Sequence, residues 1–396
     1  MTAPADGRYL EVERQLRNAA PHALLDVTRA ELARRFGATD VDLLMADYAV
    51  TMLQPVSVLP YTARPVPVGT SEPGKSFGAQ QPRVERVSSG VVVHLPVTVR
   101  GDRLGVLSVG LPQAPDDVVL DALAQIAEVL AHEIMVAERD TDLYLQARRA
   151  NRLTLAAEMQ WQLLPGRACA RAEYSIGAQL EPAYAIYGDN FDWSTSADRL
   201  TLTVTNGMGE GIDAALLTNL AVNALRNARR AGTPLADQAA LADQAVYGQY
   251  EGRLHVSVLL LEFDLTTGDV EVVDAGSPRM WLLRDGTAEP VDFDAQMPLG
   301  MFDGTPYTAE RFRVVPRDRL IFVSDGVYDV ASAGGERYGE RALARAINAT
   351  RLLPAAQVPR AILQELAGHR HASGPEDDAM VLCLDWRGRD QAPAEG

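Results

Sequence analysis

Residues 198–211, DRLTLTVTNGMGEG, are followed at once by residues 212–232, IDAALLTNLAVNALRNARRAG, and this pair of segments indicates the architecture of the second half. The first segment is typical of a short strand that ends in a turn at Asn206 and Gly207, and the second is typical of a strong helix. Other short strands, punctuated by Gly and Asp turns, precede and follow this pair. Because they do not alternate one-to-one with helices, a parallel doubly wound sheet is disfavoured. The pattern predicts two packed antiparallel sheets with helices outside, over residues 166–386, and a loose tail at 387–396.

A segment without a single Gly or Pro runs from Asp116 to Leu164. Its first part places apolar residues on one helical face, at steps of three and four; these are Val119, Leu123, Ile126, Leu130, Ile134 and Ala137. One interpretation is a long helical connector, residues 136–165, that signals between domains and forms a homodimer. The other is two helices with a break near Asp140–Asp142. The sequence leaves both open.

The first half is predicted to be a compact α+β domain at residues 21–135, after an N-terminus at residues 1–20 that is either flexible or a short helix. A helix at 22–37 ends at Gly37 and is followed by a strand at 40–50. Residues 55–90 are rich in Pro, Gly, Ser and Gln and show no period. Two later strands are separated only by Arg100, Gly101 and Asp102, which predicts a hairpin.

The composition of the chain limits the classes of partner that we expect it to bind. The chain of 396 residues has 37 Lys and Arg against 53 Asp and Glu, a net charge of −16. Such an acidic surface repels phosphate backbones and anionic lipid, so we expect neither nucleic-acid nor membrane binding. The two cysteines, Cys169 and Cys383, give no disulfide framework, and no apolar run approaches the ~20 residues of a spanning helix. A cytoplasmic protein is expected.

Four turns of the second half carry oxygen ligands at the ends of predicted strands. They are Gly188-Asp189, Asn206-Gly207, Ser324-Asp325-Gly326 and Glu376-Asp377-Asp378. Hard cations such as Mg²⁺ and Mn²⁺ prefer oxygen ligands, usually a few carboxylates plus waters. One such turn alone is ordinary turn chemistry. Four turns are more suggestive, but their spacing does not show that they converge.

Six motifs, in order over residues 158–386, resemble the metal-dependent PPM-type (protein phosphatase 2C-like) serine/threonine phosphatases, in the branch of sporulation stage II protein E. They are MQWQLLP (159–165), EPAYAIYGDNFDW (181–193), TNGMGEGIDAAL (205–216), DAGSPRMWLL (274–283), FVSDGVYD (322–329) and PEDDAMVL (375–382). The resemblance implies an α-β-β-α sandwich with metal ions in the cleft between its two sheets.

Carried over position by position, the resemblance implies five metal ligands, and the four side chains among them are also the implied catalytic residues. They are Asp189, Asn206, the Gly207 carbonyl, Asp325 and Asp378. Two Mn²⁺ or Mg²⁺ ions would activate a water for attack on a phosphoserine or phosphothreonine. The implied substrate is a phosphorylated regulatory protein of the anti-anti-sigma kind.

The sequence departs from the family pattern at the metal centre. Asn206 stands where the family has Asp, and an amide offers one oxygen whereas its NH₂ only donates. Tyr187, Glu210 and Ser277 are milder departures at positions that are not ligands. The expectation is therefore a metal-dependent phosphatase, and the alternative is a pseudophosphatase that binds the same kind of phosphoprotein without turnover. Glu210 is a candidate to supply the missing carboxylate.

Residues 20–135 resemble a GAF sensory domain. The resemblance rests on the order of the elements, on GKSFGAQQPRVE (74–85) before the hairpin, and on LGVLSVGL (104–111) followed by a closing helix. It implies a sensor with a small-molecule ligand that the sequence does not identify. His94 and His132 are isolated and show no paired metal or haem signature.

Overall fold

The chain folds into two compact units, residues Met1–Arg152 and Leu153–Gly396. The structure is a computed structural model that describes residues 5–56, 64–181, 188–332, 335, 337–339, 341–370 and 377–389. None of the helices within these ranges is both long enough and apolar enough to cross a membrane.

The first unit is a six-stranded antiparallel sheet with helices. Its strands lie in the order β3-β2-β1-β6-β5-β4; they are β1 (Asp40–Ala46), β2 (Met52–Pro55), β3 (Val66–Pro67), β4 (Arg83–Val87), β5 (Gly90–Val99) and β6 (Asp102–Leu111). Its helices are α1 (Ala5–Asn18), α2 (Leu24–Phe36), α3 (Glu72–Ala79), α4 (Asp117–Ala137) and α5 (Leu143–Ala147).

The predicted hairpin is confirmed as β5 and β6, which pair from Val91↔Leu111 to Val99↔Asp102. Its turn residues Arg100 and Gly101 both have positive φ, the conformation that matches the twist of the flanking strands.

His94 has an internal role, as expected for a lone histidine on a strand. It is only 5% exposed, and its ring nitrogens contact Ser108 Oγ at 2.9 Å and a Glu85 carboxylate oxygen at 3.0 Å.

The segment after the sheet is not one long helix, so the predicted helical connector is corrected. Helix α4 ends at Ala137, α5 is a single short helix, and α6 spans Leu155–Leu163. Thr154 starts α6 as its N-cap, because its hydroxyl accepts the Ala157 N–H at 3.1 Å. The helix does break near Asp140–Asp142, as the alternative predicted, but a second interruption between α5 and α6 gives three helices and not two.

The apolar face of α4, which the sequence analysis considered for a homodimer, packs in the core of the first unit. Leu123, Ile126, Leu130 and Ile134 on α4 are 0% exposed and pack in the same core as Val93 and Leu95 of β5. Tyr144 of α5 is also buried, and its hydroxyl donates to the Pro21 carbonyl at 2.8 Å. These four residues are therefore not available for a dimer seam, and a homodimer through this segment stays a prediction. The spacing showed that the face is apolar but did not show what covers it.

The second unit has the predicted four layers. The first sheet has the strand order β15-β12-β11-β10-β9 and the second β14-β13-β16-β17-β8-β7, and all pairings are antiparallel. The strands are β7 (Ala168–Ala170), β8 (Tyr174–Glu181), β9 (Asp189–Thr195), β10 (Arg199–Gly207), β11 (Val256–Asp264), β12 (Asp269–Ala275), β13 (Arg279–Arg284), β14 (Thr287–Val291), β15 (Glu310–Arg313), β16 (Arg319–Val323) and β17 (Ala379–Trp386). The remaining helices are α7 (Gly211–Arg230), α8 (Leu235–Tyr250), α9 (Asp325–Tyr328), α10 (Ala342–Ala349) and α11 (Val358–His369).

Alternating side chains of the central strands explain the layers. In β17, Met380 and Leu382 point into the core between the two sheets, whereas Val381 and Cys383 pack with α10 and α11. The strands of the other sheet do the same, with one face toward the shared core and one toward α7 and α8. Because both faces of each sheet are covered, the sequences of the central strands are almost continuously apolar.

Truncating Leu130 to Ala tests its place in the core. We expect Leu130→Ala to lower the free energy of unfolding of the first unit by about 2–5 kcal/mol, because it leaves a cavity. Val136→Ala, on the same helix at a site 56% exposed, is the matched control and should change it by less than about 0.5 kcal/mol.

The two variants are compared by calorimetry and by hydrogen exchange in β5 and β6. All four Trp residues lie in the second unit, so tryptophan fluorescence reports that unit separately and should not change. Equal stability of the two variants would contradict the assignment of Leu130 to the core.

Candidate active site

The candidate site lies where strand ends of the two sheets meet. In the first sheet, Asp189 begins β9 and pairs in register with Asn206 near the end of β10. The neighbouring loop is closed by the Gly207 N–H, which donates to the Gly188 carbonyl at 3.1 Å. The two side chains therefore start from fixed, adjacent points of one sheet.

The second sheet brings two more carboxylates to the same place. Asp325 starts α9 directly after β16, and Asp378 directly precedes β17. The Asp378 carboxylate accepts the N–H groups of Gly188 and Asp189, at 3.0 and 3.2 Å. The Asn206 amide donates to Asp325 Oδ1 at 2.6 Å. The structure thus brings together Asp189, Asn206, Asp325 and Asp378, as the sequence analysis expected.

Two glycines allow this close approach. A Cβ on Gly326 would lie 1.8 Å from the Asp378 carbonyl oxygen, so only glycine lets the turn after β16 sit against β17. Gly188 has φ +115°, and a Cβ there would lie 2.3 Å from the Gly207 carbonyl oxygen. Substitution at either position would push the carboxylates apart.

Helices α6 and α7 support the first sheet from behind. Gln160 of α6 is 2% exposed and donates to the Asp189 carbonyl. The Thr218 hydroxyl of α7 donates to the Gly188 carbonyl at 2.9 Å. Arg226 of α7 binds both oxygens of the buried Asp192, at 2.7 and 3.1 Å. The backbone that carries Asp189 is therefore held on several sides.

The cluster is electrostatically crowded. Burial, and then the Asp378 charge, raise the pKa of Asp189 well above its ordinary value, although a hydrogen bond with Ser324 opposes this. Burial also raises the pKa of Asp325, against hydrogen bonds from Gly326 and Asn206. Burial and the Asp325 charge raise the pKa of Asp377. Carboxylates in such surroundings favour a proton or a cation.

The residues fit a divalent cation on one side of the cluster only. Asp189 Oδ2 is buried and accepts no hydrogen bond from any residue that the structure describes, which suits a cation beside Asp189 and Asp378. On the other side, Asp325 Oδ1 already accepts from Asn206 and from the Gly326 N–H. Within the described ranges, no three His, Cys, Asp or Glu side chains are arranged to hold a metal ion.

The remaining predicted positions fall into three groups. Gly207 ends β10 beside Gly188. Glu210 precedes α7 with an exposed side chain, and Ser277 lies in the turn after β12, where its carbonyl accepts the Tyr328 hydroxyl at 2.9 Å. Tyr187, and the residues Pro375 and Glu376 of the last motif, lie outside the described residues.

Sequence reasoning gave no role to two residues at the site. Asp377 was noted only as part of an acidic turn, although its charge interacts with Asp325. Gln160 lies in the first motif, MQWQLLP, but nothing in one sequence shows that its amide reaches the backbone of a strand 29 residues later.

A cavity of about 220 Å³ lies beside the cluster, lined by residues that include Asp274, Ser277, Arg279 and Tyr328. The Arg279 guanidinium stacks over the Tyr328 ring, 3.8 Å from its centroid. Tyr328 follows Asp325 by one helical turn, and the Asp325 charge contributes to raising the pKa of Tyr328 to about 12, mainly an effect of burial. The cavity is therefore a neighbour of the carboxylates.

Comparisons with known proteins give matches for the second unit. Residues 196–387 match the family model of stage II sporulation protein E (SpoIIE). The SiaA PP2C domain of Pseudomonas aeruginosa superposes with a TM-score of 0.50 at 21% identity, over 59% of this chain and 94% of that one. The SpoIIE phosphatase structure from Bacillus subtilis gives 0.47 at 16% identity, over 55% and 65%.

Protein IcfG of Synechocystis is 22% identical in an alignment of 266 residues that covers 59% of this chain. The match covers only 42% of IcfG, so the chain aligns with less than half of that relative.

The second unit therefore has the fold of the PP2C phosphatases. Its clustered carboxylates lie where strand ends of the two sheets meet. The chain contains a PP2C phosphatase domain of the SpoIIE type.

The pH dependence of stability tests the burial of Asp274. Burial, with Glu310 and Asp292 nearby, raises the pKa of Asp274 from 3.8 to about 6. The folded protein thus holds this proton more tightly than the unfolded chain does. The resulting stabilisation is complete below pH 3.8 and is lost as the pH rises through about 6.

We expect Asp274→Asn to be more stable than the native protein above pH 6, by at most about 1 kcal/mol because the group is partly exposed. Near pH 4 the two should unfold alike. Thermal unfolding between pH 4 and 8 measures this difference, and a variant that is less stable at pH 7.5 would show that the Asp274 charge is well accommodated.

Proposed function

We propose that this protein is a regulatory serine/threonine protein phosphatase that depends on a divalent cation, Mn²⁺ or Mg²⁺. The observation that carries the proposal is the convergence of Asp189, Asp325, Asp377 and Asp378 at one sheet edge, within a domain of the SpoIIE type. Carboxylates that converge and raise one another's pKa favour the binding of a cation between them.

Each residue has a distinct role in this proposal. Asp189 and Asp378 would hold the cation, with Asp325 and the Gly207 carbonyl as further ligands. A bound divalent cation supplies Lewis acidity and a water of lowered pKa as the nucleophile. Thr218 and Gln160 fix the backbone at Gly188 and Asp189, so that the carboxylates are positioned before substrate binds.

The proposed substrate is a phosphorylated Ser or Thr on a regulatory protein of the anti-anti-sigma kind, in the cytoplasm. Support comes from the type of domain alone, since residues 196–387 match the family model of SpoIIE.

The first unit is proposed as a GAF-like sensor for a small molecule. Its sheet carries α4 on one face, while α3 packs on the other with a second small core that includes Phe77, Val68 and Val106. In this proposal, the ligand would bind on the α3 face of the sheet.

One observation favours the alternative, a pseudophosphatase that binds a phosphoprotein without turnover. The Asn206 amide, in place of a metal-ligand Asp, is engaged with Asp325 and supplies a donor where a second ligand oxygen would be needed. The same fold would then serve as a binding module.

Hydrolysis of p-nitrophenyl phosphate, measured while Mn²⁺ is titrated, distinguishes the active phosphatase from the pseudophosphatase. We expect weak or no turnover in the native chain and at least a tenfold gain in Asn206→Asp, equivalent to about 1.4 kcal/mol in the barrier. Asn223→Asp is the matched control, since it makes the same charge change on the exposed side of α7.

Because Asn-Gly pairs deamidate, the mass of the peptide around residue 206 must show that Asn is intact. Equal activity of the native and Asn206→Asp proteins would show that position 206 does not limit catalysis. No activity in either, at any Mn²⁺ concentration, would favour the binding module.

A further inference from the structure

We infer that the Asn206 side chain takes the place of one of the two cations expected for this type of site, so that the native cluster binds one divalent cation fewer than it would with Asp at this position. This inference deepens the proposed function and rests on it for the location of the cation site. Its evidence is a hydrogen bond inside the cluster.

The bond joins two rigid parts of the unit. Asn206 lies in β10, between Asp189 of β9 and Ser257 of β11, so that its backbone is paired on both sides. Asp325 is held at the start of α9, where the Gly326 N–H donates to its Oδ1 at 2.9 Å. The Asn206 amide donates to that same oxygen at 2.6 Å.

The chemistry of the partners decides the orientation of the amide. A carboxylate only accepts hydrogen bonds, so the NH₂ of Asn206 must face Asp325 and its single oxygen must face away. An Asp at position 206 would instead place a second carboxylate against Asp325. Two carboxylates at that distance require a proton or a cation between them, whereas the amide requires neither.

Glu210 does not replace the missing carboxylate. This candidate from the sequence analysis precedes α7 with an exposed side chain, and among the described residues no hydrogen bond joins it to Asn206 or Asp325. Met208 and Gly209 before it are also exposed. On this side of the cluster, the Asn206 amide occupies Oδ1 of Asp325.

The inference is tested by counting bound Mn²⁺ in the full chain by isothermal titration calorimetry, with native mass spectrometry as a second count. Four proteins are compared: native, Asn206→Asp, Asn206→Ala and the control Asn223→Asp. We expect Asn206→Asp to bind one Mn²⁺ more than the native chain. Asn206→Ala and Asn223→Asp should match the native count, because neither adds a carboxylate to the cluster.

Thermal unfolding gives an independent measure. In EDTA, Asn206→Asp should melt about 3 °C or more below the native protein, because a charge-assisted hydrogen bond is replaced by like charges. Mn²⁺ should raise the melting temperature of Asn206→Asp by more than that of the native protein, since only the folded variant binds the extra cation. Asn223→Asp should follow the native protein in both conditions.

A native count of two, or the same count in native and Asn206→Asp, would overturn the inference. These readouts do not depend on turnover. An extra Mn²⁺ in Asn206→Asp without hydrolysis of any phosphate ester would support the inference and contradict the proposed phosphatase activity.

Discussion

One carboxylate joins the two sheets of the second unit at the place where the chemistry is proposed. Asp378, fully buried at the start of β17, accepts the backbone N–H groups of Gly188 and Asp189 at the start of β9. The bond holds the loop before one sheet against the edge of the other. Gly326 makes it possible, because any larger residue would push the turn after β16 away from Asp378. The positions of Asp189, Asn206 and Asp325 follow from this junction.

The same junction explains why Asn at position 206, where the family has Asp, affects the whole cluster. Because Asp189, Asp377 and Asp378 crowd the cluster with carboxylates, a hydrogen-bond donor beside Asp325 favours its charged form. The Asn206 amide is such a donor. In the proposed account, Asn206 preserves the fold but lacks the second ligand oxygen that an Asp would offer. Stability and catalytic competence would then be separated at one position.

The sequence predicted the sandwich and the residues of the cluster, because Gly and Asp turns mark strand ends and six motifs occur in order. Their convergence needed the structure, since the hydrogen bond between Asn206 and Asp325 spans 119 positions. The prediction of one long helical connector was wrong for a related reason. An apolar face at helical spacing, such as that of Leu130, has the same pattern whether a second chain or its own sheet covers it. Thr154, the N-cap of α6, was a local signal for a new helix.

The most direct test of the account is a crystal structure of the native chain grown with Mn²⁺, with diffraction measured at the manganese absorption edge. The account predicts anomalous density for a single Mn²⁺ beside Asp189 and Asp378, with the hydrogen bond between Asn206 and Asp325 intact. Anomalous density between Asn206 and Asp325, or its absence beside Asp189 and Asp378, would contradict it.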